Sequence, residues 1–348
     1  MNTNIHKLDP GGVFPYKKIF NPAITKYGNG YLLVCRLQNH AREGALGLAR
    51  LDDAFRVVGE AHVIADAPSG NSHVMLEDPR IVNINGEIFI AYIESSPIHL
   101  FTTYVVLAKL SGAELVKPII IPFEKNHDAF VRLRKYDLHI EPEPSDAPTY
   151  LPSREWIIEK NWQFFSLAGK AYCIYSANHT HDVFEFDLKN GAVQKRFTTY
   201  FDSGWSAGDI SGGATPVLHP DGRFYSFFHS WTADAEKRRT YHAGVYVFEA
   251  KPPFAVKAIS LSPLVTAPAT PKGHAVIFPG SAIFDDATNE WVIAAGQHDE
   301  DCVLLRIQHE TILSSLVDVK QVSKWRRVIG LQLARVGKGI KKRLRLTH

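Results

Sequence analysis

The chain has 348 residues, 45% hydrophobic and 22% charged, which excludes a disordered chain, while no apolar run approaches the roughly 20 residues of a membrane-spanning helix. Its net charge of +3 is uneven: Lys320 to His348 holds ten Lys or Arg and no Asp or Glu, so everything before it stands at −7. A soluble globular body with a basic tail is expected, and a uniformly basic nucleic-acid binder is excluded.

The N-terminus, "MNTNIHKLDPGGVF", has no basic stretch leading into an apolar core, so no secretory leader and a cytoplasmic location are expected. Five segments then repeat one order: a polar or proline-containing lead, a strand, a tight turn, an aromatic-rich strand and a third apolar strand. In chain order they begin "NPAITKYGNGYLLVCRL", "EDPRIVNINGEIFIAYIES", "EKNWQFFSLAGKAYCIYSAN", "GGATPVLHPDGRFYSFFHS" and "FPGSAIFDDATNEWVIAAGQHD". Asn29-Gly30, Asn85-Gly86 and Asp221-Gly222 carry the positive-φ chemistry of hairpin turns. The turn glycines Gly30, Gly86, Gly169 and Gly222 are 56, 83 and 53 residues apart, and the long gap holds an insertion from about Pro118 to Arg154. Radial repetition of small sheets removes exposed edges. The pattern predicts an all-β, five-bladed β-propeller over residues 1–318, with residues 319–348 as a basic amphipathic helical tail. In such a fold the leads converge on one polar funnel, the default binding site.

Cys35, Cys173 and Cys302 lie in separate strand-like runs without C-x-x-C spacing, and buried, reduced thiols are expected. His179 and His181 are too isolated to form a zinc motif, and no glycine-rich nucleotide signature is present, so neither a metal nor a cofactor is expected. In "EDPR", Pro79 should hold Asp78 extended and aim its carboxylate into the funnel, either as an acid or in an ion pair with Arg80. Arg36, at a strand end, needs a partner if buried, and Asp299 is the expected one.

The succession of NPA with Arg36, then LEDPRI, EKNW, GGA-x-P leading to His229 and Tyr241, and FPG with Asp299 resembles glycoside hydrolase family 130, over about Asn21 to Ile307. That resemblance implies a five-bladed propeller and inverting chemistry on β-mannosides, by phosphorolysis, hydrolysis or, on the same fold, transfer from a sugar nucleotide. It implies Asp78 as proton donor and Lys160, His229, Tyr241 and, more weakly, Arg154 as contacts to phosphate. It further implies a substrate pocket built from Asn21, Arg36, Arg80, Asn161, Trp162, His181, Phe278 and Asp299. The expected partners are an oligosaccharide or sugar acceptor together with inorganic phosphate or a sugar nucleotide.

Two departures from the family pattern stand out. Where phosphorylases carry a His-Arg pair this chain reads "SANHTHDV", and "DISGGATP" offers Asp209 and Ser211 where a further arginine is expected. Phosphorylase, sugar-nucleotide transferase and non-catalytic glycan-binding propeller all remain open at this level. In the tail, Trp325, Ile329, Leu333, Val336, Ile340 and Leu344 fall at steps of three or four among basic residues. Such a helix suits docking on the propeller, a homo-oligomer contact, or peripheral attachment to the anionic inner leaflet of the membrane.

Overall fold

The computed structural model describes residues 4–10, 12–39, 44–66, 75–95, 103–120, 159–178, 180–271 and 273–322. Arg154, nearly all of the expected insertion and the amphipathic stretch of the tail lie outside them. Within them the architecture is all-β and propeller-like, built from five antiparallel sheets.

Strand β1 (Asn4–Leu8) precedes the first sheet, whose order is β2 (Lys18–Tyr27), β3 (Gly30–Gln38), β4 (Ala45–Leu51) and β5 (Val57–Asp66). The second is β6 (Leu76–Ile84), β7 (Glu87–Ser95), β8 (Thr103–Ser111) and β9 (Glu114–Ile120). The third runs through β10 (Gln163–Leu167), β11 (Lys170–Ser176), β12 (Thr180–Phe186) and β13 (Val193–Asp202). In the fourth, short β14 (Ser211–Gly212) and β15 (Val217–Leu218) both pair with β16 (Arg223–Ala233), followed by β17 (Arg239–Glu249) and β18 (Val256–Ser260), with β19 (Val265–Thr266) beside β17. The fifth is β20 (Ile277–Asp285), β21 (Glu290–Gln297) and β22 (Asp301–Gln308), with β1 as its outermost strand.

The sheets close into a ring. β2 touches β6 and β20, β6 touches β10, β11 touches β14, and β16 returns to β20. β1 pairs antiparallel with β22 from Asn4↔Arg306 to Leu8↔Cys302, so the N-terminal strand completes the last sheet of the ring. Gly280 lies so close to the Pro22 carbonyl that a Cβ there would collide with backbone, which explains a glycine where β20 meets β2.

Each adjacent pair of sheets encloses its own apolar core. Ala23, Val34 and Leu48 of the first meet Ile81, Ile90 and Val106 of the second, and Phe165 and Tyr172 of the third meet Phe224, Tyr246 and Phe248 of the fourth. Middle strands are therefore covered on both faces and read as near-continuous apolar runs such as "YLLVC" and "IFIAYI". Outer strands escape that pattern. β5 is mostly exposed, which is why a three-strand unit is the legible one and the fourth strand is not. The Asn85-Gly86 turn is found as expected, with φ of 56° and 82°. The first hairpin differs: its loop is Gly28-Asn29, and Gly30 pairs with Tyr27. All three cysteines are free and buried.

After β22, helix α1 (His309–Ser315) buries Ile312. Strand β23 (Leu316–Asp318) then pairs with β18, and β24 (Lys320–Gln321) pairs with β13. Val319 N donates to Lys257 O at 2.9 Å and Val322 N to Tyr200 O at 2.9 Å. The body thus continues past the boundary expected at residue 318, as a strap along the outer edges of the third and fourth sheets. A chain ending at Ser315 should melt at least about 4 °C below one ending at Val322, because several edge hydrogen bonds are lost. Equal melting of the two truncations would show that the strap carries no stability.

Candidate functional site

The polar leads lie at the inner ends of the sheets, where the ladders are interrupted. Register shifts fall between Phe20 and Ala23, between Glu77 and Arg80, and between Pro279 and Ser281. At these bulges Asn21 has φ 49° and Asp78 φ 50°, and just before β10 Asn161 has φ 63°. Asp78 is therefore left-handed and not extended as expected before proline. Asn and Asp tolerate this region because their short side chains bond locally, and a bulge re-aims the residue it carries.

The result is one charged cluster at the head of the ring. Asn21 Nδ2 donates to Asp78 Oδ1 at 2.7 Å, joining the first and second sheets. Arg36 NH2 donates to Glu77 Oε1 at 2.8 Å, and its NH1 stands 4.0 Å from Asp78 Oδ1. The guanidinium also lies over the Phe20 ring at 4.9 Å. Arg36 thus pairs with Glu77, which the sequence reading left out of the site, and the expected Arg36 to Asp299 bridge is replaced. Gly296 backs the Asn21 amide so closely that no side chain fits there.

Asp299 arrives from the turn between β21 and β22 with φ 56°. It keeps contact with water at the rim although protein surrounds it on most sides. Its pKa is raised, first by burial and then by the negative charge of Asp78, with Arg36 pulling the other way. Glu77 is also raised, chiefly by burial; Arg36 and Lys160 oppose the shift and Asp78 adds to it. Lys160, exposed at the mouth, is close enough to act on both Glu77 and His229.

Arg80, expected to bind substrate, forms the floor. Its Nε donates to Gly213 O at 2.6 Å and its NH1 to Asp78 O at 2.9 Å, and its guanidinium packs 4.8 Å over the Phe278 ring. It joins three sheets and makes no ion pair with Asp78 among the described residues. Burial lowers its pKa to about 10, so it stays charged at neutral pH. A cleft beside it is lined by Asp78, Tyr92, Asn161 and Trp162. Trp162 Nε1 donates to Glu159 Oε2 at 3.0 Å, which fixes the indole as a wall.

The expected phosphate contacts are only partly cationic. His229 is buried, and burial followed by the charges of Arg80 and Lys160 lowers its pKa to about 3. It is a neutral hydrogen-bonding group, with Nδ1 lacking a partner among the described residues. Tyr241 stacks on it at 6.0 Å. His181 is not in the funnel at all: it is fully buried, bonded through Nδ1 to Phe254 O at 2.7 Å and packed against Tyr246 and Phe248. Strand alternation turns it into the core between the third and fourth sheets. Among the described residues no group of three or more His, Cys, Asp or Glu is placed to hold a metal, and no helix is long and apolar enough to cross a membrane.

The raised Asp299 gives a pH test. Ionising a carboxyl whose folded pKa lies above the ordinary value of 3.8 costs stability, fully at high pH and not at all once both states are protonated. Asp299→Asn should therefore melt above the parent at pH 7 to 8, with the gap closing as pH falls towards 4. A gap that is the same at both ends of that range would remove Asp299 from the charged cluster.

Neither a family model nor a curated protein sequence matches the chain. Solved structures do. A β-1,2-mannobiose phosphorylase from Listeria innocua matches with TM-score 0.60 at 13% identity, covering 90% of this chain and 99% of the other. A GDP-Man-dependent mannosyltransferase from Leishmania mexicana matches with TM-score 0.57 at 13% identity, covering 88% and 89%. A mannose phosphorylase from Leishmania mexicana, solved with phosphate ion, matches with TM-score 0.51 at 13% identity, covering 90% and 89%. These likenesses agree with the resemblance drawn from the motifs, and at such identity what they show is a shared fold.

Proposed function

We propose that the protein makes or breaks a glycosidic bond of the β-mannoside type with inversion, in the head of a five-bladed propeller whose blades are the five sheets. The observation that carries the reading is Asp78: a bulge aims its carboxyl into the funnel, and Asn21 grips one oxygen at 2.7 Å. The other oxygen is left to face a ligand. The similarity to a β-1,2-mannobiose phosphorylase and to a phosphate-bound mannose phosphorylase supports the same chemistry. In phosphorolysis, Asp78 supplies the proton to the departing glycosidic oxygen, directly or through a sugar hydroxyl. A phosphate oxygen attacks the anomeric carbon from the opposite face, the carbon–oxygen bond breaks, and a sugar 1-phosphate leaves. Asn21, Arg36, Asn161 and Asp299 would hold sugar hydroxyls, and Trp162 and Phe278 the apolar faces. Lys160, with Tyr241 and the neutral His229, would meet the phosphate.

A second reading is favoured by "SANHTHDV", which lacks the His-Arg pair that the resemblance implies for free phosphate and whose His181 is turned into the core. In a transferase the donor is a sugar nucleotide, as in the similar GDP-Man-dependent mannosyltransferase. Asp78 then takes the proton from the acceptor hydroxyl as it attacks, and the nucleoside diphosphate departs.

Incubation with sugar 1-phosphates and, separately, with GDP- and UDP-sugars, each with a panel of acceptors, identifies the donor consumed. Asp78→Asn should lower the rate by about 10²- to 10⁴-fold with folding intact. A variant within a few-fold of the parent would remove Asp78 from the reaction. Lys160→Ala should raise KM for the phosphate-bearing substrate about tenfold or more and leave that for the neutral sugar nearly alone. Equal effects on both would take Lys160 out of the cradle.

A further inference from the structure

The hairpin of β16 and β17 is the longest among the described residues, eleven residues on each side, and its outer residues are exposed. Its register is unbroken, with His229 opposite Ala243, Trp231 opposite Tyr241 and Ala233 opposite Arg239. Residues directly opposed, and those two apart, share a face. His229, Tyr241, Trp231 and Arg239 therefore stand on the same face, the one whose lower part packs against the fifth sheet. The rings connect. Phe278, over which Arg80 lies, is 4.6 Å from the His229 ring, and His229 stacks on Tyr241 at 6.0 Å with an interplanar angle of 17°. Trp231 follows one step outward, 36% exposed, with the Arg239 guanidinium 4.6 Å over one face.

This extension is held rigid. Asp234 accepts from Glu236 N at 3.0 Å, Arg238 N at 2.9 Å and Arg238 Nε at 2.6 Å, closing the hairpin tip. Tyr241 N donates to Ala275 O at 2.7 Å and Ala275 N to Arg239 O at 3.0 Å, tying the tip to the segment before β20. An exposed tryptophan on a braced hairpin, continuous with a buried site, is a platform made before its ligand arrives.

Resting on the glycosidic reading above, we propose that Tyr241 and Trp231, backed by the buried rings of His229 and Phe278, form an aromatic ladder that binds a glycan of several units, with Trp231 as its outer rung. A pyranose presents a flat C–H face to an indole and its hydroxyls to flanking donors, here Tyr241 and Arg239. Arg239 covers one side of Trp231, which leaves one side for one sugar unit. The glycan therefore extends along the fourth sheet, away from Asp78, and the ladder selects acceptors or products by length.

The test is binding, not turnover. The full chain carrying Asp78→Asn, with and without Trp231→Ala or Trp231→Phe, is titrated against β-linked manno-oligosaccharides of two to five units and against GDP- and UDP-sugars, and screened on a broad glycan array. Affinity should rise with length in the parent, fall about three- to tenfold for the longer glycans in Trp231→Ala, and largely return in Trp231→Phe. Similar affinities in the three proteins would overturn the ladder, as would an absence of glycan binding in the parent, or a loss confined to sugar nucleotides, which would make Trp231 a nucleobase platform. Length-dependent binding through Trp231 with no donor consumed would instead sink the catalytic reading and leave the ladder standing.

Discussion

Arg36 is the charge on which the head of the funnel depends. Glu77, Asp78 and Asp299 all act on or are acted on by it, and among these four side chains it is the only cation. It sits opposite Phe20, the residue at which the bulge carrying Asn21 begins, so it couples the first two sheets where both ladders are interrupted. Its side chain is 12% exposed, a setting in which a lysine could lose its proton and an arginine does not. Removing one partner of such a pair leaves the other charge half-buried and uncompensated, which destabilises the head of the funnel. Sugar hydroxyls suit the surplus of carboxylate, since each can donate to an anionic oxygen. Free phosphate does not. On the proposed reading, an anionic group must approach on the side of Lys160, at the start of the third sheet.

Much of this arrangement is written in the motifs. The leads NPA, EDPR, EKNW, SGGATP and FPG do mark the inner ends of the sheets, because proline, glycine and Asn or Asp interrupt a ladder that valine and isoleucine would continue. Glu77 could not be read the same way. Adjacent residues on a strand point to opposite faces, so Glu77 and Asp78 should not both reach one arginine. The register shift between Glu77 and Arg80 cancels that alternation and brings both carboxylates round. The pre-proline rule pointed the wrong way for Asp78 because it describes the residue alone, whereas the bulge is fixed by pairing on both sides. The states of His229 and His181 were hidden for another reason: burial sets them, and burial depends on which sheets close over each ring.

The ring has two unlike ends, and the difference follows from strand direction. Asn21, Asp78, Asn161 and Phe278 lie where their inner strands begin or are about to begin. Further along the inner strands of the five sheets come Ile24, Val82, Phe165, Val217 and Ile283, which line a cavity of about 340 Å³. Between the two ends, Arg80 Nε donates to Gly213 O at 2.6 Å and Thr215 Oγ1 to Ile81 O at 2.9 Å, so the second and fourth sheets are stitched directly together. Ile24 N donates to Ser281 Oγ at 2.6 Å, stitching the first to the fifth.

That floor bears on the chemistry available above it. A polar channel open at both ends would admit water on either side of a reacting sugar, whereas a floor of Arg80 and Phe278 closes one side with a fixed charge and a ring. The charge is already committed to carbonyl oxygens, so it stabilises the backbone that carries Asp78 and Gly213 before it can serve a ligand. A residue so committed acts through others. On the proposed reading the acid is Asp78, held by a bulge whose carbonyls Arg80 anchors, and the proposed aromatic ladder would start from the ring on which the same guanidinium rests. On that reading, the position of the proton donor and the position of the glycan are both referred to the single side chain of Arg80, which joins the second, fourth and fifth sheets.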